Sequence, residues 1–161
     1  MHIDGPIPLF VYGTLRNGER FAFYLEEFAR KPCTVVDYCL KENPAGDVYI
    51  TRVDVGDACS KVHGEIYKVS LACLRRINHL ENASGSFPKG YELAVLDGRD
   101  EKGVAVHALY FRLKQESKIV RSGDYKRLDL LDFIEKYLAT NTAQLTDENL
   151  IVAIQQHING E

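Results

Sequence analysis

Pro8-Leu9-Phe10-Val11-Tyr12-Gly13-Thr14-Leu15-Arg16 is the stretch on which the reading of this chain turns. It opens as an apolar run, the pattern of a buried strand, and breaks at Gly13. A strand that stops at a glycine leaves backbone N–H groups without ladder partners. Successive free N–H groups form a concavity that suits an anion or a carbonyl oxygen. The same residues also fit an ordinary strand closed by a tight turn. Either way, a strand over residues 7–12 is expected, with a turn behind it.

Downstream, Phe21, Tyr24, Leu25 and Phe28 follow the i, i+3, i+4, i+7 spacing of an amphipathic helix, which Pro32 would close. Residues 33–40 are rich in β-branched and aromatic types and read as a strand. Asn43-Pro44-Ala45-Gly46 is a turn signal. Strands over residues 47–53 and 62–69 follow, with a loop over 54–60. Ser70 fits an N-cap for a helix from residue 71 to 81 or 82. Residues 83–90 read as a Gly/Ser/Pro loop. Two strands, 91–96 and 104–113, then form a hairpin across Asp97-Gly98 to Gly103. Residues 115–125 look irregular. Leu130, Ile134, Tyr137 and Leu138 share one helical face, and Thr146 fits the cap of a last helix burying Leu150, Ile151, Ile154 and Ile158. Strands dominate the middle and connections are short. The expected class is α+β, with a small, largely antiparallel, barrel-like sheet flanked by helices.

The chain has 161 residues and 45% hydrophobic content, enough for one domain with a packed core. A net charge of −3 gives no basic field for nucleic acid or an anionic membrane. No apolar run reaches the roughly 20 residues of a spanning helix. The N-terminus lacks a basic-then-apolar signal pattern, so a cytoplasmic setting is expected. Cys33, Cys39, Cys59 and Cys73 lack zinc-site spacing and are expected as small apolar residues in a reducing compartment. No metal site is expected.

Glu81 is the most informative single residue. With Leu71 at zero on a helical wheel, Leu74 lies near about 300°, Ile77 near about 240° and Glu81 near about 280°. The carboxylate therefore falls on the apolar stripe at the helix C-terminus, while Arg75, Arg76, His79 and Asn82 fall elsewhere. Burial and the negative end of the helix dipole both disfavour its charged form. A glutamate with a raised pKa is what acid/base chemistry near neutrality needs. The competing reading is a helix that frays before residue 81 and gives the side chain to solvent. Tyr12, Tyr91 and Tyr110 lie in or beside strands, where tyrosines usually pack and hydrogen-bond. The five histidines form no metal spacing, and Arg75-Arg76 with His79 fits a solvated helix face.

Taken together, Val11-Tyr12-Gly13-Thr14-Leu15-Arg16, Gly64-Glu65-Ile66-Tyr67, the helix ending Leu80-Glu81, Tyr91, and Ile119 with Ser122-Gly123-Asp124-Tyr125 resemble the γ-glutamylcyclotransferase-like family. The Tyr-Gly-Thr-Leu-Arg form is more similar to the small bacterial members, the plant avirulence-induced-gene-like proteins and the γ-glutamylamine cyclotransferases than to the glutathione-specific branch. The resemblance spans roughly residues 7–127 and implies a small mixed β-barrel core, with residues 128–161 as a helical extension of the same single domain. It implies an enzyme that releases a γ-glutamyl group as 5-oxoproline, with no metal or organic cofactor and a small-molecule substrate. By position, Glu81 matches the catalytic glutamate. Tyr12, Gly13, Thr14 and Leu15, with Arg16 beside them, match the substrate-holding loop, and Tyr91 resembles a site-lining tyrosine. Many members place a glycine directly after the glutamate. Here Asn82 follows, and residues 83–90 lengthen the path to Tyr91, which leaves the substrate range open. The leaving amine stays open among an amino acid, a lysine side chain, a polyamine and an antibiotic precursor. A non-catalytic module sensing a γ-glutamyl or other acidic metabolite is the alternative. The C-terminal helices have three options: packing on the barrel, covering the pocket, or forming a homo-oligomer contact.

Overall fold

The computed structural model describes residues 5–12, 22–42, 44, 48–83, 91–113 and 130–158. Among the described residues there are seven strands: β1 (Ile7–Val11), β2 (Arg30–Val36), β3 (Tyr38–Glu42), β4 (Val48–Arg52), β5 (Lys61–Val69), β6 (Tyr91–Asp100) and β7 (Ala105–Leu113). The helices are α1 (Leu71–Ala83), α2 (Leu130–Thr140) and α3 (Asp147–Ile158), with short 3-10 turns at Ala22–Leu25 and Thr142–Gln144. Five strands close a barrel in the order β1-β5-β2-β6-β7, and β3 and β4 form a separate two-stranded sheet. All ladders are antiparallel except the closure of β1 on β7, which is parallel at Leu9 and Leu109.

Alternation along the strands divides the core in two. Phe10 of β1, Val62 of β5, Ala94 and Leu96 of β6, and Ala108 and Tyr110 of β7 belong to the cluster that fills the barrel. Ile7, Leu9 and Val11, with Tyr67, Val69, Leu109 and Phe111, face the other way. They meet Cys73, Leu74 and Ile77 of α1, Ile134 of α2, and Leu150, Ile151 and Ile154 of α3. β1 is thus buried on both faces, which explains its unbroken apolar run. The last two helices pack on the barrel, the first of their three options. Ile158 is 39% exposed, against the expectation that it is buried. No helix among the described residues is long and apolar enough to cross a membrane.

Five further expectations are corrected. The stretch with helical spacing near residue 25 forms only the four-residue 3-10 turn Ala22–Leu25, and Phe21 lies outside the described residues. Pro32 sits inside β2 instead of ending a helix. β2 pairs with β6 only at Val35 and Val36, so on that side Pro32 has no ladder partner to lose. The single strand expected over 33–40 is broken at Asp37, whose φ of 65° turns the chain from β2 into β3. The β6–β7 turn lies beyond Asp100, not at Asp97-Gly98. There the Asp100 carboxylate accepts bonds from Lys102 N (2.9 Å) and Val104 N (3.0 Å). Gly98 stays in the strand, where a Cβ would come within 2.9 Å of Val35 Cγ1. Cys39 and Cys59 are also not separate apolar residues; they form a disulfide, because the chain returning from β4 brings their Cα atoms to 5.4 Å. Cys33 and Cys73 are free, and burial raises the pKa of both thiols.

Candidate active site

β1 ends at Val11, whose cross-strand partner Glu65 forms the last rung of the β1–β5 ladder. Gly64, one residue before, is required there, because a Cβ would meet the Val11 carbonyl oxygen at 2.4 Å and the Phe10 ring at 2.7 Å. Tyr12 follows at the rim. Its hydroxyl donates to the Phe111 carbonyl of β7 at 2.6 Å, and its ring stacks on Phe10 with centroids 6.3 Å apart. Gly13, Thr14, Leu15 and Arg16 lie outside the described residues.

Tyr91 opens β6 opposite Leu113, two residues beyond Phe111 on β7. The two tyrosines therefore occupy the same rim of the β1–β7–β6 sheet. The Tyr91 hydroxyl donates to the Val48 carbonyl at 2.7 Å, tying the rim to the β3–β4 hairpin. A tyrosine hydroxyl that donates to a carbonyl keeps acceptor capacity on its oxygen. Tyr110, by contrast, belongs to the barrel-filling cluster and packs there.

α1 starts at Ser70, whose Oγ accepts a hydrogen bond from Cys73 N at 3.2 Å. Its buried stripe is Cys73, Leu74 and Ile77. The opposite face is solvated. Arg75 pairs with Glu135 at 2.8 Å, Arg76 lies 3.7 Å from Glu27, and His79 is exposed, in keeping with the bland reading of that cluster. The helix continues to Ala83, so it does not fray before residue 81. Position 81 is one turn beyond Ile77 and two beyond Leu74 in helical register. The Glu81 side chain lies outside the description. α1 packs on β6, and its C-terminus leads through residues 84–90 to Tyr91 at the rim.

Glu65 was legible as part of a motif but not as a site residue. Among the described residues it is the one buried charged side chain, 7% exposed. It lies on the same face of β5 as Tyr67, the face covered by α1. The Tyr67 hydroxyl has a raised pKa, first through burial and then through the negative charge of Glu65, with Arg30 acting in the opposite sense. The signal in the sequence was a carboxylate two residues from Tyr67 and four from Val69, in phase with core positions.

A small cavity of about 180 Å³ opens elsewhere, lined by Val36, Asp37, Arg52, Gly98 and Arg99. Arg99 is eight residues along β6 from Tyr91, roughly 26 Å at strand rise, and is paired with Asp37 at 3.1 Å. Its one carboxylate, Asp37, is exposed and ion-paired, and the rim is the better candidate.

The family described as gamma-glutamyl cyclotransferase, AIG2-like, matches residues 9–127. No relative matches among curated proteins. Among solved structures, a gamma-glutamyl cyclotransferase is 16% identical over 68% of this chain and 67% of its own, with a TM-score of 0.50. The solution structure of an Arabidopsis thaliana protein is 13% identical over 83% of this chain and 87% of its own, with a TM-score of 0.51. An AIG2-like protein from Mus musculus is 20% identical over 80% of this chain and 88% of its own, with a TM-score of 0.48. At these identities the first two structures speak to the fold, which is this barrel.

Proposed function

The chain belongs to the gamma-glutamyl cyclotransferase, AIG2-like family, and from that premise we propose that it cleaves a γ-glutamyl amide by internal cyclisation, releasing 5-oxoproline and a free amine. The observation that carries this reading is the register of Glu81: an acid inside α1, in phase with buried Leu74 and Ile77, on the helix that feeds the rim where Tyr12 and Tyr91 lie.

The substrate supplies its own nucleophile. Its α-ammonium gives a proton to the Glu81 carboxylate, and the amine attacks the γ-carbonyl carbon. A C–N bond closes the five-membered lactam. The original amide C–N bond breaks as the leaving nitrogen takes that proton back from Glu81, and the second proton of the attacking nitrogen passes to the same amine through the same carboxylate, so the lactam is left with one N–H and the amine departs as its ammonium. Holding the two ends of one molecule together is worth roughly 7–11 kcal/mol of barrier. An ordinary glutamate near pKa 4.3 is a weak base for an ammonium, and the place of residue 81 in the last turn of α1, where the helix dipole disfavours a negative charge, narrows that gap. Backbone N–H groups after Gly13 are the donors for the substrate carboxylate or the developing oxyanion.

The test is 5-oxoproline release from a panel of γ-glutamyl amines, with Glu81→Gln as the paired variant. Turnover is expected to fall about 10²- to 10⁴-fold, with substrate binding retained. Unchanged turnover removes Glu81 from the mechanism. A wild-type protein that is thermally stabilised by these ligands but makes no product is the binding module instead.

A further inference from the structure

The cavity at the far end of β6 from Tyr91 has no task in the proposed chemistry, and its walls carry an excess of positive charge. Asp37, with its φ of 65°, is the corner between the barrel and the two-stranded sheet. Val36, on one side of that corner, stands opposite Arg99 of β6. Tyr38, on the other side, stands opposite Arg52 of β4. The corner therefore brings two arginines, from strands of different sheets, to one cavity of about 180 Å³. Gly98 adds no side chain to fill the space; a Cβ there would lie 2.9 Å from Val35 Cγ1 and 3.3 Å from Tyr38 Cε2. Each guanidinium is held in place. Arg99 Nη2 meets the Asp37 carboxylate at 3.1 Å, and the Arg52 guanidinium lies over the Tyr38 ring, 5.3 Å from its centroid. A guanidinium carries several N–H donors in one plane, more than either of these partners engages. Other nearby carboxylates turn elsewhere. Asp100 accepts from Lys102 N and Val104 N, and Asp54 and Asp57 accept backbone N–H groups of their own turn.

We propose that this corner is a binding site for a phosphate group, held between Arg52 and Arg99 and distinct from the site of cyclisation. Two positive charges at one cavity repel each other, and the single carboxylate of Asp37 offsets only one of them. A second anion offsets the other. Planar guanidinium forks match the oxygen spacing of a phosphate, and charge-assisted hydrogen bonds of this kind are the strong ones. Both arginines are exposed, so the mouth of the cavity is open to solvent and an ester group on the phosphate can point outward. Asp37 is the opposing element. It keeps Arg99 in place before the anion arrives and repels the anion once it is there. The site stands whether or not the chain releases 5-oxoproline.

The test is calorimetric titration of the full chain with inorganic phosphate, with glycerol 3-phosphate as an ester, and with acetate at equal ionic strength. Inorganic phosphate is expected to bind at least about tenfold more tightly than acetate. An ester that binds as well marks a phosphomonoester as the occupant, one that does not marks the free ion, and either supports the site. Arg52→Gln and Arg99→Gln should each weaken phosphate binding about tenfold. Asp37→Asn keeps a residue that tolerates positive φ and removes the opposing charge, so it should tighten binding at least about threefold. Arg75→Gln removes the same charge from the exposed face of α1 and should leave the affinity within about twofold of wild type. All four side chains are exposed, and a Tm measured without phosphate verifies that each variant is folded. Phosphate bound no more tightly than acetate overturns the proposal. So does an affinity unchanged in either cavity arginine variant, or one lost equally in Arg75→Gln.

Discussion

Position 64 tolerates no side chain. The Cβ of an alanine there would lie 2.4 Å from the Val11 carbonyl oxygen, a backbone atom that cannot swing away. Gly64→Ala is therefore expected to destabilise the protein by about 1–3 kcal/mol or more. In a urea titration the midpoint should fall with an unchanged slope. An unaltered midpoint would mean that β1 ends less tightly than described. Single residues were unevenly legible in the sequence. The phase of Glu81 could be read because a helix repeats every 3.6 residues and Leu71, Leu74 and Ile77 fix the origin. Glu65 could not be assigned a place, because an alternating strand gives a face without saying whether that face meets water or a helix. The Cys39–Cys59 bond was hidden for a related reason. A spacing of 20 residues says nothing until β3, β4 and the returning loop are paired.

Among the elements, strands and helices with long patterns emerged close to where the residues place them, and short patterns did not. Four apolar positions around Leu25 imitate a helix, but so short a segment has little helical stability of its own. Leu25 and Phe28 are buried by a single 3-10 turn instead, while Phe23 is left 58% exposed. The loop from β4 to β5 offers a pH test at this scale. The Asp57 carboxylate accepts a bond from Asp54 N at 2.7 Å and lies 3.4 Å from Lys41 Nζ on β3. The backbone hydrogen bond first, then Lys41, hold its pKa below the usual aspartate value. A pKa lower in the folded than in the unfolded state contributes stability above the unfolded value. That contribution is lost as pH falls through the folded one. Wild type should therefore lose more Tm than Asp57→Asn on acidification below about pH 4. Parallel Tm curves would mean that this turn does not hold the loop.

Across the whole molecule, the barrel and the C-terminal helices form one core. Ile154 of α3 is fully buried in the cluster that also holds Leu9, Leu74 and Ile134. The Lys68 ammonium of β5 also pairs with the Asp147 carboxylate at the start of α3. Ile154→Ala should cost about 2–5 kcal/mol, as deletion of a core side chain does. Thermal unfolding should remain a single transition at a lower Tm. A separate early transition would mean that the helices unfold apart from the barrel. The apolar faces of α2 and α3 were plain in the sequence, but what they would meet was not. That became readable only once the β1–β7 closure placed Leu9 and Leu109 side by side beneath them.

The central claim is that the substrate's own amine, not water, displaces the leaving group. The direct measurement is product analysis after turnover of a γ-glutamyl amide in ¹⁸O-enriched water. The predicted result is 5-oxoproline without solvent oxygen, formed in equal amount to the released amine. Glutamate carrying one ¹⁸O would contradict the account, because it would identify the reaction as hydrolysis.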